Sequence, residues 1–161
     1  MARIETAPAT PNGAEKDLKR VEDAVEALGR LFGGQRPAAA RAERAGIPLA
    51  RTGQRLLWHI VTEGPIRISD LSRAVGLTDP VTSRQVAALE SEGLVDRRAS
   101  PEDGRVSLIR PTAAGRRAGR RLRQAADEIF RKQIGNWSAE DLATLAPLLE
   151  QLVKDLRRKP V

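Results

Sequence analysis

The stretch ISDLSRAVGLTDPVTSRQVAALESEGLVDRR, residues 68–98, decides how this chain folds. Ser69 stands where it can cap a short helix that turns Leu71 and Val75 to one side. Gly76 breaks that helix, and Leu77 and Thr78 make the turn. Asp79 then reads as an N-cap and Pro80 as the first residue of a second helix. That helix runs through Glu92 with Val86 and Leu89 on its inward face, and Gly93 ends it. Two short helices across a tight glycine-containing turn match a helix-turn-helix, a pattern that helical hairpins of other function share.

The next residues add a wing. Segments 94–99 and 105–110 have strand character, and between them SPEDG (100–104) ends in Asp103-Gly104, a favoured pair for a tight hairpin turn. The spacing predicts a two-stranded ribbon with Arg105 at its tip and Arg97, Arg98 and Arg110 on its strands. An arginine on a narrow ribbon can enter the minor groove of DNA, where the potential is most negative when the groove is narrow.

Outward from this centre the pattern is helical. Residues 1–14 mix Ala, Pro, Thr, Asn and Gly without periodicity and read as a disordered tail. Leu18, Val21, Val25, Leu28 and Phe32 then lay one apolar stripe on a helix that Gly33-Gly34 ends. Short helices follow over 37–45 and about 49–62. Beyond Pro111 a long helix, with Thr112 as cap, carries Arg116, Arg117, Arg120, Arg121 and Arg123 in its first half. Ser138 and Asp141 form a capping box for a last helix, in which Leu142, Leu145, Leu149, Leu152 and Leu156 repeat the apolar spacing and Pro147 is expected to kink it or shift its register.

The chain of 161 residues carries 28 Lys+Arg against 21 Asp+Glu, a net +7. Residues 41–123 hold 16 basic and 9 acidic side chains, a surplus of 7, so the remaining 12 and 12 cancel. The excess sits on the helix-turn-helix, the wing and the start of the long helix, which points to an anionic partner docking there. Arginine outnumbers lysine 23 to 5; it suits bidentate contacts to phosphate and guanine, though arginine-rich codon usage gives the same count.

Absences narrow the function. Without cysteine there is no disulfide, thiolate nucleophile or cysteine redox sensor, and a single histidine leaves no imidazole-built metal site. No glycine-rich phosphate loop and no paired carboxylates in an apolar setting are present, so an enzyme is not expected, nor a cofactor or metal. No apolar run reaches the ~18 residues of a membrane span, and the N-terminus lacks a signal-peptide stretch; the expected location is the cytoplasm.

Residues 68–98, followed by DGRVSLIRPTAAGR (103–116), resemble the MarR family of bacterial transcriptional regulators. The most telling pieces are SRQVAALESEGLV (83–95), the wing sequence Asp103-Gly104-Arg105, and Pro111-Thr112-Ala-Ala-Gly115, where the family usually shows Leu-Thr-x-x-Gly. The helix order before and after agrees, over roughly residues 16–157. Pro111 departs from the usual leucine, a change a strand end tolerates. The resemblance implies a mainly α fold: a winged helix-turn-helix domain (35–111), with terminal helices (15–34 and 112–158) forming a dimerisation region.

On the second helix of the motif, Pro80, Val81 and Arg84 point away from Val86 and Leu89 and are candidates to meet base edges. Arg84 is the candidate for direct readout, because a guanidinium can bond guanine O6 and N7 together; the resemblance likewise makes that arginine and the proline near the helix start DNA-contacting. Thr82 and Ser83 lie at the helix edge as candidate phosphate contacts or caps. Arg105 resembles the family's wing-tip minor-groove arginine, and Asp103 would hold the loop by pairing with Arg105 or Arg98. Arg73, Arg98, Arg51, Arg55 and Arg67 are candidate phosphate contacts, each equally readable as a solvated charge. Trp58 and His59 are candidates for a ligand pocket between the DNA-binding and dimerisation regions, with core or surface packing as the plainer reading.

The expected function is a homodimeric, sequence-specific regulator of transcription, in this family usually a repressor, binding an imperfect palindrome in double-stranded DNA and modulated by a small-molecule effector. The alternative is a ligand-independent architectural DNA-binding protein.

Overall fold

The structure, a computed structural model, describes residues 11–100 and 107–158; the wing-turn residues Asp103, Gly104 and Arg105 lie outside the described residues, as do residues 1–10 of the expected tail. Among the described residues the order is α1 (Pro11–Gly33), α2 (Gln35–Ala45), α3 (Arg51–Glu63), β1 (Ile66–Arg67), α4 (Ile68–Val75), α5 (Asp79–Ser91), β2 (Val95–Ala99), β3 (Ser107–Pro111), α6 (Ala113–Gln133) and α7 (Ala139–Leu156). The chain divides into two compact units, Met1–Leu122 and Arg123–Val161, with the boundary inside α6.

The first unit is built around α3, α4 and α5. Leu56, Leu57 and Ile60 of α3, Leu71 of α4 and Val86 and Leu89 of α5 are fully buried, and Val95 and Ile109 cap them from the sheet. Each helix contributes residues three or four apart, so one face of each turns inward. Gly76 takes the left-handed conformation at φ 63° that stops α4, and its amide and that of Leu77 bond back to Arg73 and Ser72. This is the tight turn of a helix-turn-helix, and glycine adopts it without the Cβ clash.

Two helices start earlier than the sequence expectation, α4 by two residues and α5 by one. α4 begins at Ile68 with Arg67 as its N-cap, so Ser69 sits inside the first turn and caps nothing. α5 is capped by Thr78 rather than Asp79: the Thr82 amide bonds the Thr78 carbonyl at 2.9 Å, closing the first turn a residue earlier. Asp79 thereby enters the first turn, where its charge complements the helix dipole. α1 starts at Pro11, so the end of the segment expected as tail is helical.

The wing has a third strand. β1 pairs antiparallel with β3, Ile66 opposite Ile109 and Arg67 opposite Leu108, giving the order β1-β3-β2 where two strands were expected. A two-residue strand carries no period-2 signal, and Gly64-Pro65 had marked this region only as a helix stop. Pro111 ends β3 opposite Val95, beyond the reach of β1, so its missing N–H interrupts no ladder there.

The exit from the wing shows why Pro111-Thr112-Ala-Ala-Gly115 reads as it does. Thr112 donates its hydroxyl to the Gly93 carbonyl at 2.7 Å and accepts from the Gly115 amide at 3.0 Å, capping α6 as expected. Gly115 lies against the backbone of Leu94, where a Cβ would come within 1.9 Å of the carbonyl oxygen.

The terminal helices keep their apolar stripes exposed. Leu18, Val21, Val25, Leu28 and Phe32 of α1 are open to solvent, as are Leu142, Leu149 and Leu156 of α7, which buries no residue at all among those described. The Ser138–Asp141 capping box is present in full, and α7 runs as one helix past Pro147. No helix among the described residues is long and apolar enough to cross a membrane.

Candidate nucleic-acid interface

α5 presents the outward residues the sequence singled out on one face. Pro80 and Arg84 are exposed and Val81 is half-buried, while Val86 and Leu89 anchor the opposite face. Among the described residues no carboxylate or other partner holds Arg84, so its five donors remain available to a ligand. Ser83 is half-buried beside it.

Thr82 does not belong to this surface. It is fully buried, and its hydroxyl has no hydrogen-bond partner among the described residues. A side chain without solvent exposure reaches neither phosphate nor base, so the assignment of Thr82 as a contact is corrected. The spacing already held the signal: Thr82, Val86 and Leu89 stand at i, i+4 and i+7, one inward stripe. Its hydroxyl had suggested an edge position.

The basic residues around α5 divide into engaged and free. Arg73 on α4 bonds Asp70 at 3.1 Å and Arg97 on β2 bonds Glu90 at 3.1 Å. Arg110 on β3 makes two 3.0 Å bonds to Asp96 on β2, and Arg98 lies 3.4 Å from the same carboxylate. Those bonds hold the Asp96 carboxyl below the usual carboxylate range, with the Arg110 hydrogen bond the largest cause. Arg98 pairs with Asp96, while Asp103 and Arg105 lie outside the described residues. Arg55 is also committed: it donates to the Val75 carbonyl at 2.8 Å, tying α3 to the end of α4 just before the turn. Arg67, on β1, is exposed.

Trp58 is exposed on α3, and the adjacent His59 donates from Nδ1 to Glu63 at 2.7 Å within the same helix. Among the described residues no group of three or more His, Asp or Glu could hold a metal ion.

Comparison with known proteins bears on this arrangement. A model of the MarR family matches residues 49–107, from just before α3 to the first residue of β3. The uncharacterized HTH-type transcriptional regulator YxaD of Bacillus subtilis is 32% identical over 106 residues, 66% of this chain and 74% of that protein. The HTH-type transcriptional repressor IacR of Pseudomonas putida is 30% identical over 103 residues, 63% of this chain and 61% of that one. A solved MarR family protein from Bacillus stearothermophilus superposes with a TM-score of 0.78 at 19% identity, covering 89% of this chain and 98% of that one.

Proposed function

The chain belongs to the MarR family of DNA-binding transcriptional regulators, and from that premise we propose that it is a homodimeric repressor that reads an imperfect palindrome and is modulated by a small ligand. As a member of that family it is a regulator and not an enzyme. The observation that carries sequence-specific readout is Arg84: exposed, free of any partner among the described residues, and on the outward face of a helix whose other face is locked in the core.

In this reading each copy lays α5 in a major groove, with Pro80 and Val81 against thymine methyls and Arg84 bidentate to guanine. Ser83 bonds a phosphate; Arg73 exchanges its exposed pair with Asp70 for a phosphate, and Arg98 leaves Asp96 to Arg110 and does the same. Arg105 enters the minor groove and Asp103 holds its loop. Two α5 helices about 34 Å apart match successive major grooves on one side of the duplex.

Support for the dimer comes from the apolar stripes of α1 and α7, which this chain leaves in water; contiguous exposed apolar surface of that kind marks an interface. Repression is suggested by the similarity to the repressor IacR. A ligand that binds one spacing of the two reading helices better than the other shifts the population between them and so changes DNA affinity. In this reading Trp58 and His59 line its pocket.

Footprinting followed by titration of the protected site tests the reading. Arg84→Ala is expected to lose about 1–3 kcal/mol at the guanine it contacts, with little change on unrelated DNA. Equal losses on operator and random sequence would remove Arg84 from readout. Uniform protection without a palindrome would favour the architectural alternative.

A further inference from the structure

The short helix α4 closes its C-terminal end with help from another helix. A helix leaves its last four carbonyls without partners of its own. In α4 the turn supplies donors for two of them: the Leu77 amide bonds the Ser72 carbonyl at 3.0 Å and the Gly76 amide bonds that of Arg73 at 3.3 Å. The Val75 carbonyl, the last before the turn, accepts instead from Nη2 of Arg55 on α3 at 2.8 Å. Val75 is buried, and the bond is partly shielded from water.

The donor is a positive charge at the negative end of the α4 dipole, which makes this bond stronger than one between neutral groups. Its root is fixed as well. Arg55 stands directly before Leu56 and Leu57, whose side chains are fully buried, so α3 cannot turn about its axis without emptying the core. Gly76, in the left-handed conformation at φ 63°, has the widest backbone freedom of the turn. A tie placed one residue before it restrains the joint between α4 and α5. Pro80 and Arg84 follow within the first two turns of α5, so a change of angle at that joint is carried directly to them.

We propose that Arg55 is a positioning residue for DNA reading: by holding the Val75 carbonyl to α3 it fixes the angle at which α5 presents Arg84, and it touches no DNA itself. The inference rests on α5 being the reading helix. A bidentate pair between guanidinium and guanine needs both of its bonds in line, whereas phosphate contacts hold a protein on any sequence. Loss of the tie therefore weakens binding to the operator and spares binding to random DNA. Loss of a phosphate contact lowers both and flattens the salt dependence.

The test titrates the full chain against its footprinted operator and a random duplex of equal length, over a range of salt. Arg55→Met keeps the apolar stem and removes the donors. It is expected to lower operator affinity about tenfold, part of what the whole Arg84 pair contributes, with random binding and the salt slope unchanged. Arg55→Lys, which keeps a charged donor, should restore most of the loss. Because Arg55 acts through Arg84, Arg55→Met should cost the operator almost nothing further in an Arg84→Ala background. Circular dichroism at the titration temperature reports folding, and Arg55→Gln takes the place of Arg55→Met in the same cycle should the latter be unfolded. Additive losses in that cycle overturn the proposal. So do equal losses on both duplexes with the slope reduced by about 0.9, which would make Arg55 a phosphate contact. A wild type that prefers no sequence overturns the reading of α5 and this inference with it, whereas a variant that keeps the wild-type preference overturns this inference alone.

Discussion

Arg110 and Asp96 face each other across the β2–β3 register and are joined by two parallel bonds of 3.0 Å. Arg98 shares the same carboxylate and Arg97 reaches back to Glu90 on α5. The wing strands therefore neutralise much of their own charge, whereas Arg84 has no acid partner among the described residues.

The pairing makes wing stability depend on pH with a definite sign. The folded pKa of Asp96 is lowered from 3.8, so the unfolded chain binds its proton first as pH falls. The contribution is complete above the unfolded value and is lost as pH drops through the lower folded one. Asp96→Asn is expected to flatten that part of the acid limb when thermal midpoints are followed below neutral pH. An unchanged acid limb would show that Asp96 has no part in it.

Gly115 and Gly119 lie one turn apart on α6 and should respond differently to a methyl group. At Gly115 the new Cβ would stand 1.9 Å from a backbone oxygen that cannot move aside, so Gly115→Ala should cost about 3 kcal/mol or more. At Gly119 the nearest atom is the tip of Val61 at 3.3 Å. Gly119→Ala should stay within about 1 kcal/mol of wild type, since helix propensity offsets the tighter contact. Urea denaturation of the two variants measures the contrast.

Much of this fold was legible because its punctuation is strong. Gly76, Pro80 and the Ser138–Asp141 box bracket helices whose apolar residues repeat at helical spacing, and the periodicity placed Leu71, Val75, Val86 and Leu89 in the core. The third strand was not legible, because Ile66 and Arg67 are too few to show alternation and acquire strand geometry only by pairing with β3. Arg55 resembled every other basic residue until the fold brought the Val75 carbonyl beside it. Gln54 gave no signal either: it is a buried amide whose partners, Arg41 and Ala38 on α2 and Leu49 ahead of α3, come from two other segments.

Thr82 offers a sharp check on the boundary between core and interface. Its hydroxyl is buried with no partner among the described residues, and such a group costs about 1–3 kcal/mol of desolvation. Thr82→Val keeps the shape and removes the polar atom, so it should stabilise the protein by about 1 kcal/mol in urea titrations while leaving operator affinity unchanged. Weakened operator binding at unaltered stability would return Thr82 to the DNA surface.

The apolar stripe on α1 predicts how assembly and DNA binding are linked. Leu28 is 41% exposed in the single chain, between Val25 and Phe32 on the same face. Leu28→Glu puts a charge into any interface that covers that face but displaces nothing from the core of the first unit. Light scattering is expected to show a dimer for the wild type and a monomer for the variant. The thermal transition of the winged domain should persist. Operator affinity should fall by about 100-fold or more as two linked reading helices become independent, whereas binding to a half-site duplex should be nearly unchanged. A variant that remains dimeric with full operator affinity would mean that the α1 stripe is covered by something other than a second copy.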